Sequence, residues 1–278
     1  MARDYDAFLI DLDGTLLNRR SEVPPDTREA LLAAEATGVR VMVVTGRSLV
    51  ATRPILLELG LSAPCVVFNG AAVWCPRSER FLEERTLSNR TLERTLAFGE
   101  ARDDMTIVMQ AGRKLALDPR NDIELRSLEG LHGLEFVTRA ELRQDYTVRV
   151  TFISGRHQES DALEAEFLDY CPHPTYLTHF PLSILPDHER SELHALDVHP
   201  PCRGKAEALR FLLETEGIPS ERIVAVGDAS NDDSMIQAAG LGVAMADGMA
   251  STRALADRVI GGNDTRAVAD LLEELFLS

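Results

Sequence analysis

The stretch FLIDLDGTLL, from Phe8 to Leu17, places two carboxylates, Asp11 and Asp13, inside an apolar run near the start of the chain. An apolar run followed by a glycine is typical of a buried strand that ends in a turn. Buried charge is costly unless a cation or a cage of hydrogen bonds compensates it. The stretch therefore predicts a functional site at the end of a central strand.

The sequence on either side of this run alternates apolar strands with amphipathic helical patterns. The strand candidates are FLI, VRVMVV and CVVF in the first part and RIVAVGD and LGVAMA in the last part. Short apolar runs joined by helices are typical of βαβ units and a parallel sheet. The two ends are therefore predicted to form halves of one doubly wound, Rossmann-like α/β core.

The middle of the chain has a different pattern. Its strand candidates, TIVMQAG, KLALD, YTVRVTFISG and TYLTHF, are more polar and alternate. This pattern indicates an α+β segment with a mostly antiparallel sheet, inserted between the halves of the core. We predict a first core segment at 1–78, an inserted cap domain at 79–189 and a second core segment at 190–278.

Composition excludes some functions. The chain has 278 residues, 45% of them hydrophobic, and a formal net charge of -16, so it can bury a full core and has no basic stripe for nucleic acid or an anionic membrane. Its apolar runs are too short for a membrane helix. The four cysteines form no CxxC pair or zinc spacing, which is typical of reduced thiols in the cytoplasm. Oligomeric state is not indicated.

Four short stretches fall where strands of the core are predicted to end or a helix to begin: DLDGT (11–15), TGR (45–47), Lys205 in CRGKAEAL, and GDASND (227–232). Because the carboxyl ends of parallel strands line one crevice, we expect these stretches to converge.

The converged residue types suit phosphoryl transfer. Asp11, Asp13 and Asp228 supply hard oxygen ligands of the kind that Mg²⁺ prefers. Thr45 offers a hydroxyl, Gly46 an unobstructed backbone N–H and Lys205 a positive charge, which together suit a phosphoryl group. An aspartate can itself be the nucleophile, and two carboxylates two residues apart can divide the work between nucleophile and acid/base.

In this order, DLDGTLL, TGR, the late lysine and GDxxND resemble the four motifs of the haloacid dehalogenase superfamily of phosphohydrolases. The insertion, together with FNGA at 68–71, resembles the Cof-type, subclass IIB members, which carry a large α/β cap. One departure is Ala206, which follows Lys205 where the family usually has glycine.

The resemblance implies a role for each matching residue. Asp11 would be the nucleophile that forms an aspartyl-phosphate, and Asp13 would protonate the leaving group and then activate water. Asp11, Asp13 and Asp228 would hold Mg²⁺, with one contact from Asp13 through its backbone carbonyl. The remaining roles are phosphate binding by Thr45, Gly46, Lys205 and Asn231, a substrate-side contact by Asn69, and support of Lys205 or the metal by Asp232.

Several of these features also have simpler interpretations. Asp11 and Asp13 imitate EF-hand spacing, but Leu16 stands where that loop needs glycine. Arg47 is interpreted as structural, and Lys205 and GDASNDD could be a surface lysine and an acidic helix cap. The seven histidines show no zinc pattern, and most are expected to be surface or cap residues.

The predicted function is a Mg²⁺-dependent phosphatase of a small phosphorylated metabolite, with sugar phosphates first and pyridoxal phosphate next. Two alternatives remain open at this point. A phosphomutase would use the same nucleophile, and a non-enzymatic signalling module would accept a phosphoryl group without turnover.

Overall fold

The computed structural model describes residues 4–185 and 188–278. Its helices are α1 (Pro25–Ala36), α2 (Leu49–Leu59), α3 (Asn89–Arg102), α4 (Asp122–Ser127), α5 (Ser160–Tyr170), α6 (Glu207–Glu216), α7 (Asp233–Ala238), α8 (Ala250–Leu255) and α9 (Ala267–Leu272). In this part of the chain, every helix is too short or too polar to cross a lipid bilayer.

Its strands are β1 (Ala7–Ile10), β2 (Arg40–Val43), β3 (Cys65–Val67), β4 (Ala72–Cys75), β5 (Arg80–Glu84), β6 (Met105–Met109), β7 (Lys114–Leu117), β8 (Leu134–Val137), β9 (Arg149–Ser154), β10 (Tyr176–Pro181), β11 (His194–His199), β12 (Ile223–Gly227), β13 (Leu241–Met245) and β14 (Arg258–Ile260).

The chain divides into two compact units. The first comprises residues 4–47, 52–83 and 203–278, and the second comprises residues 48–51 and 84–202. Each unit contains its own large sheet.

The first unit is built on a parallel sheet of five strands in the order β14-β13-β12-β1-β2. Every residue of the central strand β1 is buried, which explains why the run before Asp11 is apolar rather than alternating. The strand is paired in parallel with β12 on one side and β2 on the other. A three-stranded sheet, β3-β4-β5, belongs to the same unit. The predicted α/β class with a parallel-sheet core is confirmed.

The second unit is built on a six-stranded sheet in the order β10-β11-β9-β6-β7-β8. Its pairs are antiparallel except for β7 with β8, as the alternating patterns in the middle of the chain predict. Phe152 of β9 packs against Phe98 of α3 and Phe167 of α5 with ring centroids 5.4 Å and 6.3 Å away. These helices therefore cover one face of the sheet.

The unit boundaries differ from the predicted ranges. Strand β11 falls in the predicted second core segment, yet it pairs along its length with β9 and β10 of the six-stranded sheet. Strand β5, assigned to the predicted cap, begins inside the first unit. Strand pairing, which local composition does not specify, produces both differences. A cap domain inserted into a core stays a proposal.

Three of the seven histidines are buried, whereas the other four are exposed or partly exposed. His188, His194 and His199 are buried, with exposed fractions of 7%, 7% and 0%. Two of them lie on β11, which is buried along its whole length. These side chains are therefore interior residues of the second unit.

Candidate active site

The site begins where the central strands of the first unit end. Asp11 follows β1, and its backbone N–H donates to the Val226 carbonyl of β12 over 3.0 Å. Asp228 follows β12 directly. Because β1 and β12 are parallel neighbours, both carboxylates emerge at the same edge of the sheet. The structure thus brings together residues that are more than 200 positions apart in the chain.

A tight turn after β1 separates Asp11 from Asp13. The N–H of Leu16 donates to the Asp11 carbonyl over 3.2 Å, and Gly14 has a φ of 74°. A Cβ atom at Gly14 would lie 2.4 Å from Oδ2 of Asp228. Glycine therefore provides both the left-handed backbone and the space that Asp228 occupies. Thr15 also fixes Asp228, because its hydroxyl donates to Asp228 Oδ1 over 3.2 Å.

Lys205 lies at the centre of the site and is 1% exposed. Its Nζ donates to Asp11 Oδ1 over 2.7 Å and to Asp232 Oδ1 over 2.6 Å. Burial alone would lower the Lys205 pKa, but the two carboxylates outweigh it and raise the pKa above its usual value. Lys205 is therefore a fixed positive charge in contact with Asp11.

Asp232 is fully buried and uses both carboxylate oxygens. Oδ1 accepts from Lys205, while Oδ2 accepts from the backbone N–H groups of Asp228 and Ala229 over 3.0 Å and 3.1 Å. It joins Lys205 to the loop that carries Asp228. These contacts hold Lys205 in one orientation, which agrees with the role predicted for Asp232.

Three carboxylates lie close enough to share a cation. Asp11, Asp228 and Asp232 each offer an oxygen, and these atoms lie within 4.8 Å of one another. Burial, followed by the neighbouring Asp232, raises the Asp228 pKa to about 7. Burial also raises the Asp11 pKa well above its usual range, against the opposing effect of Lys205. A divalent cation would stabilise these crowded anions, and all-oxygen donors suit a hard one such as Mg²⁺.

The Asp13 carboxylate, in contrast, is directed to an arginine. Arg47 donates from Nε to Asp13 Oδ2 over 2.8 Å and from Nη2 to Oδ1 over 2.5 Å. The cluster of carboxylates that could share a cation includes two of the predicted metal ligands, Asp11 and Asp228. Its third member is Asp232 and not the side chain of Asp13. A metal contact from Asp13 therefore rests on its backbone carbonyl, as the family resemblance implies.

Arg47, which the sequence indicates to be structural, contacts a predicted site residue. Its guanidinium forms a forked ion pair with Asp13, the predicted acid/base. The sequence signal for Arg47 is its position in TGR, close after the strand β2. In the structure, the Arg47 backbone N–H donates to the Thr45 hydroxyl over 3.1 Å.

Three of the four predicted phosphate ligands, Thr45, Gly46 and Asn231, lie around Asn69. Thr45 accepts at its carbonyl from the Asn69 N–H over 3.1 Å, and the Asn231 amide donates to Asn69 Oδ1 over 3.1 Å. A Cβ atom at Gly46 would lie 2.8 Å from that same Asn69 oxygen. Asn69 itself has a left-handed backbone, with φ of 51°. The turn at 68–70 therefore places Asn69 against both Gly46 and Asn231.

Comparison with known proteins agrees with this geometry. The family of haloacid dehalogenase-like hydrolases matches residues 8–272 of the chain. The phosphatase YwpJ of Bacillus subtilis is 28% identical over 96% of this chain and 98% of its own length. The pyridoxal phosphate phosphatase YbhA of Escherichia coli is 28% identical over 95% of this chain and 96% of its own.

A solved structure shares the fold. The subclass IIB sugar phosphatase BT4131 superposes with a TM-score of 0.80 at 22% identity, covering 97% of this chain and 98% of its own. The chain belongs to the haloacid dehalogenase-like hydrolase family. The resemblance inferred from the four motifs is confirmed, and so is the prediction that the protein is an enzyme, a phosphoric monoester hydrolase.

Proposed function

We propose that the protein hydrolyses the phosphate ester of a small metabolite with Mg²⁺, through an aspartyl-phosphate on Asp11. The observation that carries this proposal is the buried contact of 2.7 Å between Lys205 Nζ and Asp11 Oδ1, with Asp228 close by. A carboxylate beside a fixed cation and further acidic ligands suits attack on a phosphoryl group.

In the first proposed step, an Asp11 carboxylate oxygen attacks phosphorus as the bond between phosphorus and the ester oxygen breaks. The leaving alkoxide takes a proton from the Asp13 carboxyl group. Lys205 neutralises charge that develops on the phosphoryl oxygens, while Thr45, Gly46 and Asn231 orient them. The products are the free alcohol and phosphorylated Asp11.

In the second proposed step, the Asp13 carboxylate takes a proton from water, whose oxygen attacks phosphorus. The bond between phosphorus and the Asp11 oxygen breaks, which releases inorganic phosphate and restores the Asp11 carboxylate. Asp11, Asp228 and the Asp13 carbonyl would hold Mg²⁺, which supplies charge neutralisation for the phosphoryl group. Membership in a hydrolase family, with relatives named phosphatases, supports net hydrolysis over isomerisation or stable phosphorylation.

For the substrate, we propose a sugar phosphate first and pyridoxal phosphate second. A structural neighbour is a sugar phosphatase, and one relative is named for pyridoxal phosphate. A cytoplasmic location stays a prediction.

Substitution of the nucleophile tests the proposal. We expect Asp11→Asn to lower turnover of p-nitrophenyl phosphate by at least about a thousandfold, because an amide cannot form the intermediate. Phosphate release is the measurement, and circular dichroism checks that the variant is folded. A folded Asp11→Asn protein with substantial turnover would contradict the assignment of Asp11.

A further inference from the structure

Lys205 lies two residues after a point where the chain passes between the two units. The long excursion of the chain into the second unit begins after Glu83, and the chain returns to the first unit at Arg203. The Lys205 side chain nevertheless meets Asp11 and Asp232 over 2.7 Å and 2.6 Å. The backbone close to the return point therefore has to be fixed by contacts inside the first unit.

One buried side chain that the proposed mechanism does not use makes such a contact. Glu207, the first residue of α6, is 3% exposed. Its Oε1 accepts from the Arg203 backbone N–H over 3.0 Å. Between these two residues the backbone forms a single turn of 3-10 helix, Gly204–Ala206, with Lys205 at its centre. Because the first N–H groups of a helical turn have no partner within it, the Glu207 carboxylate closes the turn that carries Lys205.

Arg210 compensates the charge of this buried carboxylate. A buried anion is costly unless it is paired, and Arg210 Nε donates to Glu207 Oε2 over 2.5 Å. The Arg210 guanidinium also donates to Glu214 and to Glu83. Since Glu83 is the residue after which the chain leaves the first unit, both ends of the excursion are tied to the start of α6.

The Lys205 turn also lies against the turn that carries Asn69. Gly70 has a φ of 96°, and a Cβ atom there would lie 2.1 Å from the Gly204 carbonyl oxygen and 3.2 Å from Cγ of Glu207. The two turns are therefore in backbone contact, with Glu207 beside them. Because closely packed groups transmit displacement, we expect a shift of the Lys205 turn to move Asn69 as well.

We propose that Glu207 is a positioning residue, whose bond to the Arg203 N–H holds Lys205 where it binds the phosphoryl group. The inference deepens the proposed function and rests on it in one respect, that Lys205 is a phosphate ligand. Loss of the bond should let the Lys205 turn shift, and a misplacement of about 1 Å in an active site can cost about a hundredfold in rate.

Binding of inorganic phosphate in the presence of Mg²⁺, measured by calorimetry, tests this role. We expect Glu207→Ala to weaken phosphate binding by about tenfold. Charge alone predicts the opposite, because removal of a negative group should strengthen the binding of an anion. Glu214→Ala is the matched control, since it removes another anionic partner of Arg210, two turns further along α6 and 58% exposed. This control should leave phosphate binding unchanged.

Glu207→Gln separates the hydrogen bond from the charge. Its amide oxygen can still accept from the Arg203 N–H, so it should recover part of the affinity that Glu207→Ala loses. KM for p-nitrophenyl phosphate should follow the same order, whereas purely structural damage lowers the fraction of active protein and hence kcat. The inference is overturned if Glu207→Ala binds phosphate as well as the wild type, if the two Glu207 variants bind it equally weakly, or if Glu214→Ala shows the same loss.

A further variant keeps the test decisive if Glu207→Ala does not fold. Glu207→Leu then replaces it, because leucine fills the buried volume without an acceptor, and it should show the same loss of phosphate binding. Absence of phosphate binding in the wild-type protein would also overturn the inference.

Comparison with Asp11→Asn separates this inference from the proposed function, because calorimetry needs no turnover. If Glu207→Ala loses phosphate affinity while Asp11→Asn keeps its turnover, the role of Glu207 stands and the assignment of the nucleophile fails. If Glu207→Ala keeps its affinity while Asp11→Asn is inactive, the proposed function stands and the role of Glu207 is overturned.

Discussion

Arg47 and Asp13 form an ion pair whose role in proton transfer can be tested by a single substitution. The fork holds the carboxylate in one orientation, so we propose that Arg47 positions Asp13 for proton transfer. An acid is needed most when the leaving group is a poor one.

We therefore expect Arg47→Lys, which keeps the charge but loses the fork, to slow hydrolysis of alkyl phosphates by about tenfold to a hundredfold. The loss should be smaller for p-nitrophenyl phosphate, whose phenolate leaves without a proton. The measurement is kcat/KM against the leaving-group pKa. Equal losses for all esters would show that Arg47 does not act through Asp13.

The raised pKa of Asp228 links the stability of the protein to pH and to metal binding. This pKa is about 7 in the folded protein and about 3.9 when unfolded, so the folded state holds the proton more tightly. Without metal, the Asp228 contribution to stability is present at acidic pH and is lost as pH rises from about 4 to 7. Mg²⁺ needs the carboxylate and should stabilise the protein mainly above pH 7.

Thermal melts in EDTA and in Mg²⁺ at pH 5 and pH 8 measure this link. We expect Mg²⁺ to raise the melting temperature by several degrees at pH 8 and by much less at pH 5. Asp228→Asn, which resembles the protonated carboxyl group, should lose most of this difference. An equal rise at both pH values would contradict the coupling.

At the scale of elements, the turn after β1 is as important as the carboxylates that it separates. We expect Gly14→Ala to destabilise the protein by about 1–3 kcal/mol and to abolish most activity. The physical reason is that the new methyl group would occupy the space of the Asp228 carboxylate. Urea unfolding and p-nitrophenyl phosphate hydrolysis measure the two effects.

Gly217→Ala is the matched control for this turn. Gly217 ends α6 with φ of 70°, and a Cβ atom there would have no neighbour within 4 Å. We expect a loss of about 1 kcal/mol from the left-handed backbone alone and full activity. If both variants kept activity, Gly14 would serve only as a turn residue.

At the scale of the whole molecule, each unit has its own aromatic packing. Phe98 and Phe8 are both buried, and they form edge-to-face pairs with Phe152 and Phe276 at 5.4 Å and 6.0 Å. We expect Phe98→Ala to destabilise the second unit by about 3–5 kcal/mol. Hydrogen exchange should then lose protection in β6 and β9, while β1 and β12 keep theirs.

The reverse variant provides the control. Phe8→Ala should expose β1 and β12 to exchange while β6 and β9 stay protected, because the two units are separately compact. Loss of protection throughout the chain in either variant would show that the molecule unfolds as a single cooperative unit.

Much of the fold could be predicted from sequence because local patterns report local burial. The apolar run before Asp11 indicates a strand buried on both faces, and topology then brings Asp228 to the same edge of the sheet. Strand β11 could not be assigned in this way. Its residues HALDVH suit either unit, and only pairing with β9 and β10 places it in the second.

The sequence by itself determined the class of chemistry, because Asp11, Thr45, Lys205 and Asp228 follow or flank elements whose order puts them at one crevice. Only the tertiary structure decided the partners of the side chains. The fork between Arg47 and Asp13 and the contact of Lys205 with Asp11 and Asp232 depend on residues distant in sequence. Periodicity reports which residues are buried, whereas hydrogen-bond partners depend on distances of a few ångströms that only packing sets.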